Sequence, residues 1–141
     1  MKPRVLPVLA VLLVAMAGIA EKKVRDFIYP IVVVSASNRR LMRIDTKGDV
    51  TTIFAGAPFE FPIAVAAHPD GSCIVADGYA KALFKVTPEG KISTILKGDP
   101  FQHPDGLAIE PNGSMVVADP HAKSLYRVSP NGTVSLLHKA E

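Results

Sequence analysis

The stretch Pro104-Asp-Gly-Leu-Ala-Ile-Glu-Pro-Asn-Gly-Ser-Met-Val-Val-Ala-Asp119 matches, without a gap, the stretch Pro62-Ile-Ala-Val-Ala-Ala-His-Pro-Asp-Gly-Ser-Cys-Ile-Val-Ala-Asp77 that lies 42 residues before it. The same offset carries Leu83-Phe-Lys-Val-Thr-Pro-Glu-Gly90 forward onto Leu125-Tyr-Arg-Val-Ser-Pro-Asn-Gly132 and back onto Leu41-Met-Arg-Ile-Asp-Thr-Lys-Gly48. Three copies of one unit, at about 26–61, 62–103 and 104–141, therefore make up the chain beyond its first segment. A period in the low forties, built from short apolar runs between Gly and Pro turns, is the pattern of β-propeller blades. The expected fold is all-β, with each unit one blade of four antiparallel strands and about three blades of a partial ring.

In the middle copy the four strands are expected at 63–67, 73–77, 82–86 and 91–96. Asp70-Gly71 and Glu89-Gly90, repeated as Asn112-Gly113 and Asn131-Gly132, read as two-residue hairpin turns in which glycine accepts a positive φ. Gly71, Gly90, Gly113 and Gly132 are thus structural turn residues. The second strand is apolar at successive positions, 74–76 and 116–118, as expected where neighbouring blades cover both faces. The outer strand mixes β-branched and polar residues, which suits a half-exposed rim. The first copy reads as incomplete: 42 residues before Ile63 lies Glu21-Lys-Lys-Val-Arg25, too charged for an inner strand lining the channel.

Residues 1–20 differ from the rest. Met1-Lys-Pro-Arg4 is a basic start, residues 5–20 are almost unbroken apolar, and Ala15, Ala17, Gly18 and Ala20 offer small residues for cleavage. This reads as an export signal, placing the mature chain in the periplasm or outside the cell. The rival is an uncleaved membrane tether, although 5–20 falls short of the roughly 20 apolar residues that span a bilayer. Without Lys2 and Arg4 the 16 basic side chains become 14 against 13 acidic ones. The mature chain, residues 21–141, is nearly neutral and carries no basic stripe, so no nucleic-acid partner is expected. The single Cys73 stands where the next copy has Met115 and reads as a small buried hydrophobe.

From about Ile31 onward these motifs resemble the six-bladed propeller superfamily that groups NHL-repeat proteins, gluconolactonases and regucalcin-type lactonases, and strictosidine-synthase-like proteins. The resemblance implies a ring of which this chain supplies about half. For the lactonase branch it also implies calcium, or another divalent metal, held in part by the Asp of this Pro-Asp-Gly, Asp105. The branch's Glu and Asn ligands have no match here. In such propellers the turns joining second to third strand, and the connectors between blades, collect at the mouth of the central channel. Here those segments are residues 35–39, 77–81, 98–103 and 119–123.

The metal candidates at that mouth are Asp105, His103, Asp119 and His121: oxygen ligands suit calcium, and added imidazoles suit zinc or manganese. Asp105 stands opposite Ile63 in the preceding copy, so the blade itself does not require an acid there, and its other reading is a carboxylate that accepts backbone amides in the turn before the inner strand. Asp77 and Asp119 repeat, which argues that each carboxylate accepts backbone N–H groups in its following turn. His103 and His121 take the places of Phe61 and Tyr79 and can equally serve as packing rings. Tyr79, Asp99, Asn38 and Arg39 complete the expected ligand-contacting set, for a protein, peptide or small molecule. Gly-rich phosphate loops, a Gly-x-Ser-x-Gly elbow and zinc-type Cys/His spacing are all missing from the sequence.

Three functions are compatible with this reading. The first is an exported binding or scaffold module. The second is a metal-dependent lactone or ester hydrolase, in which the metal polarises a carbonyl and activates water. The third is a truncated fragment without independent activity. Half a ring also leaves apolar flanks, which predicts either a homodimer that closes the ring or a chain that aggregates.

Overall fold

The computed structural model describes residues 30–141, together with the backbone of a two-residue strand, Leu9–Ala10. Three sheets of four strands follow one another along the chain. The first contains β1 (Leu9–Ala10), β2 (Ile31–Ser35), β3 (Arg40–Ile44) and β4 (Val50–Ala55). The second contains β5 (Pro62–Ala67), β6 (Cys73–Asp77), β7 (Ala82–Val86) and β8 (Ile92–Lys97). The third contains β9 (Gly106–Ile109), β10 (Met115–Asp119), β11 (Ser124–Val128) and β12 (Val134–Lys139). Within each sheet the strands lie side by side in chain order, and from the second strand outwards all pairs are antiparallel. The expected export segment, its cleavage region, the membrane tether and the charged stretch 21–25 lie outside the described residues, apart from β1. That strand takes the inner-edge place of the first sheet, pairing in parallel with Ile31 and Val32 where β5 and β9 pair antiparallel. Among the described residues no helix is long and apolar enough to cross a membrane.

The hairpins depart from the sequence expectation. At the β5–β6 turn the His68 N–H donates to the Ser72 carbonyl at 2.8 Å and the Gly71 N–H to the His68 carbonyl at 2.9 Å. Only Gly71 of this turn has a positive φ, at 87°. The loop is therefore three residues, a type I turn followed by a left-handed glycine, rather than the two-residue turn expected from Asp-Gly. The first blade closes the same loop at residues 45–49 with Thr46 in the place of Pro69, so the left-handed glycine at the third loop position, Gly48 or Gly71, is the shared requirement, and the fixed φ of Pro69 suits the second position of the type I turn. The same pair of hydrogen bonds recurs at residues 87–91, 110–114 and 129–133, with Pro88, Pro111 and Pro130 in the same place. Between the third and fourth strands each blade has a bulge at one repeat position, after Leu41, Leu83 and Leu125.

The core lies between blades. Val32, Val34 and Leu41 of the first blade pack against Val65, Val75, Phe84 and Val86 of the second. Ile74, Ala76 and Leu83 of the second pack against Met115, Val117, Tyr126 and Val128 of the third. Each seam is plugged by a phenylalanine from the connector above it: Phe59 meets Phe54 and Phe84 at 5.1 and 5.7 Å, and Phe101 meets Tyr126 at 5.8 Å. Both are fully buried. β6 is buried throughout, as its unbroken apolar run predicts. β10 is not: Val116 and Ala118 are half-buried, because no described blade covers that face.

Candidate functional site

The β2–β3 type turns and the blade connectors share one end of the molecule, and two aspartates tie them together. Asp77, at the end of β6, is fully buried. It accepts the Ala80 N–H of its own turn at 2.9 Å, but also the Glu60 and Phe61 N–H groups of the preceding connector at 2.8 and 2.9 Å. Asp119 does the same with Ala122 at 2.9 Å and with Gln102 at 2.7 Å and His103 at 3.0 Å. The carboxylates thus fasten turn to connector across 16 or 17 residues, a longer reach than the local turn bond expected from sequence. Both oxygens of Asp119 are taken by backbone donors, and burial without those partners would be costly.

This fastening sets four rings in a row across the mouth. Phe61 stacks on Tyr79 at 4.5 Å, Tyr79 meets His103 edge to face at 5.5 Å, and His103 stacks on His121 at 4.6 Å. Phe61 and His103 hold the same repeat position on successive connectors, and Tyr79 and His121 the same position on successive turns. The row is therefore a product of the 42-residue repeat. His103 Nδ1 lies 2.5 Å from Asp105 Oδ1. Asp105 immediately precedes the inner strand β9, and its side chain addresses the imidazole rather than turn amides. Tyr79 and His121 are exposed, whereas His103 is largely covered.

Of the expected site residues, His103, Asp105, His121 and Tyr79 come together, with Asp119 beneath them holding the backbone. Asp99 stands exposed in the connector turn that ends at Phe101, and Asn38 and Arg39 occupy the exposed β2–β3 turn of the first blade. Two contributors escaped the sequence reading. Phe61 begins the row, and Gly78 makes room for it: a Cβ at Gly78 would lie 2.4 Å from Cε1 of His103. The signal was an unrepeated glycine, since the matching positions are Ala36 and Pro120.

The donor set is a weak match for calcium, which takes six to eight oxygens. Among the described residues no three carboxylate, imidazole or thiol side chains converge on one point. Asp105 spends an oxygen on His103, and Asp119 spends both on backbone. Cys73 is buried beneath the opposite end, and burial pushes its thiol up to about 11 despite the nearby positive charge of Arg43, so it is no thiolate. That end carries a cleft of about 530 Å³ between the first two blades, lined by Arg43, Asp45, His68 and Glu89 among others. It opens where Ala67 and Cys73 replace the larger Ile109 and Met115 of the next blade.

No protein-family model and no curated protein sequence matches the chain. Solved structures do. A virginiamycin B lyase from Staphylococcus aureus matches with a TM-score of 0.66 at 16% identity, over 78% of this chain and 39% of the lyase. A Xanthomonas campestris gluconolactonase matches with a TM-score of 0.66 at 14% identity, over 78% of this chain and 43% of that one. A putative gluconolactonase matches at 22% identity with a TM-score of 0.60, over 74% of this chain and 43% of that one. The chain spans about two fifths of the length of the structures it matches. It has the fold of the β-propellers that include virginiamycin B lyase and gluconolactonase, built here as three blades of a partial ring.

Proposed function

We propose that this chain is an exported propeller module that binds a ligand at the channel mouth, with the ring row as its contact surface. The observation that carries the reading is the unbroken line Phe61, Tyr79, His103 and His121, drawn from two connectors and two turns. Rings held in place by their neighbours offer contact area at little entropic cost, and the exposed Tyr79 and His121 add a hydroxyl and an imidazole at the edge. The ligand class that suits them is a small molecule or peptide segment with one flat, weakly polar face. The test is to follow the ring NMR signals of Tyr79, His103 and His121 while adding gluconolactone, simple glycosides and short peptides. Binding at the mouth shifts all three, and Tyr79→Ala abolishes the shifts. Signals that stay fixed for every probe, or move only at the opposite end, would refute the reading. For export, protein recovered from the periplasm or medium should begin near Gly18 or Glu21, and an intact chain confined to the cytosol would refute it.

A second reading rests on the 2.5 Å contact between His103 Nδ1 and Asp105. A carboxylate on Nδ1–H leaves Nε2 as the basic nitrogen, which is the arrangement of a general base. In a lactone or ester hydrolase Nε2 would take a proton from water as the oxygen adds to the carbonyl. On this reading His103→Ala lowers lactone hydrolysis by roughly 10²- to 10⁴-fold, and Asp105→Asn lowers it less.

A further inference from the structure

The two seams between blades differ at the end opposite the ring row. In the seam between the second and third blades, Ile109 and Met115 pack with Ile95. The repeat puts Ala67 and Cys73 in those places between the first and second blades, and the shorter side chains leave the cleft of about 530 Å³. That size falls within the usual span of small-molecule pockets, roughly 300–1,000 Å³. Its apolar lining comes from Val32, Ile53, Ala67 and Cys73. Alternation along β3 and the residue after it places Arg43 and Asp45 on the face that carries Leu41, and Leu41 is buried in this seam. Both side chains therefore continue that face into the cleft, which they line. Arg43 differs from its own copies. Lys85 pairs with Asp70 and Arg127 with Glu110, each on its own blade, whereas the exposed Arg43 pairs with no carboxylate among the described residues. Asp45 accepts the Lys47 and Asp49 N–H groups through Oδ1, at 2.8 and 2.9 Å, which leaves Oδ2 for another donor. Glu89 stands exposed on the facing wall.

We propose that this cleft is a second binding site and that its ligand is a free α-amino acid with an apolar side chain. The ligand carboxylate pairs with the guanidinium of Arg43, whose planar fork matches two carboxylate oxygens at once. Its ammonium pairs with Asp45 and Glu89, and its side chain lies against Val32, Ile53 and Ala67. Simpler ligands fit the charges less well. An apolar anion leaves both carboxylates unmatched, and an apolar amine meets the positive charge of Arg43. The cleft lies at the end opposite the mouth, so this site and the ring row can fail independently.

The probe is L-leucine, titrated into the full chain and followed by calorimetry and by the methyl NMR signals of Val32, Ile53 and Ala67. Saturable binding should move those methyls and leave the Tyr79 and His121 ring signals in place. Removing one charged group from the probe, as in isocaproate or isoamylamine, should weaken binding about tenfold or more, the worth of a charge-assisted hydrogen bond. Arg43→Gln should weaken leucine by the same factor and leave isoamylamine no weaker. The double variant Ala67→Ile, Cys73→Met gives the cleft the side chains of the next blade, so it should melt cooperatively and bind no leucine. Arg43 is exposed, so its variant decides the matter even where the filled cleft fails to fold. Absence of saturable leucine binding, a truncated probe that binds as tightly as leucine, indifference to Arg43→Gln, or a filled cleft that still binds would each overturn the proposal.

Discussion

Asp77 shows how one side chain can define a loop end. Its carboxylate holds three backbone N–H groups from two segments, so Asp77→Ala leaves buried donors without partners and should cost on the order of 3 kcal/mol, read from urea unfolding. Gly78→Ala should behave differently. The new Cβ meets the movable end of His103 rather than backbone, so the fold persists while the ring swings away from Asp105, visible as altered His103 imidazole shifts. Asp70 supplies the pH dependence. Burial opposes its ionisation, but Lys85, Ser72 and His68 together hold its carboxyl well below the usual range. A carboxyl lowered in the folded state adds stability above its unfolded value, about 3.9, and loses it as the pH falls further. Asp70→Asn should therefore be the less stable protein at pH 7, with the gap closing below about pH 4. Solvent screening at this 45% exposed side chain keeps the gap small.

Among the elements, the hairpin glycines look alike in sequence and differ in place. Gly71 and Gly90 have φ of 87° and 85°, a region that costs a Cβ-bearing residue roughly 1–2 kcal/mol. Around Gly71 there is open space, whereas a Cβ at Gly90 would sit 2.5 Å from the Ile53 carbonyl oxygen. That carbonyl belongs to the residue skipped by the bulge in the outer strand of the preceding blade. Gly132 meets Ile95 in the same way, at 2.6 Å. Gly71→Ala should then lower stability by the backbone cost alone, and Gly90→Ala by about 1–3 kcal/mol more. Equal melting temperatures for the two variants would refute the bulge-to-glycine packing.

For the molecule as a whole, blades behave as neighbours in a line, each stabilised by the seams it shares. Phe101 plugs the seam to the third blade and Phe59 the seam to the first. Phe101→Ala should cost about 3–5 kcal/mol and, in hydrogen exchange, release β9 to β12 before β2 to β4. Phe59→Ala should reverse that order. Uniform loss of protection in both would show that the blades melt as one unit.

The 42-residue repeat and its Gly-Pro punctuation were enough to determine blades, strand positions to within a residue and the apolar second strand, because these are local matters of period and turn chemistry. The sequence also marked Asp105, His103 and His121 as departures from the repeat. Tertiary structure decided what those departures do. Asp119 fastens the connector from which His103 meets Asp105, and the rings align where turn and connector of adjacent blades approach across 16 or more residues. It decided as well that Asp119 serves backbone, since a carboxylate's partners depend on which N–H groups are left unpaired nearby. The exposure of Leu125 against the burial of Leu83 was likewise invisible in two matching strings: burial belongs to what stands next to a face, and a repeat records only the face.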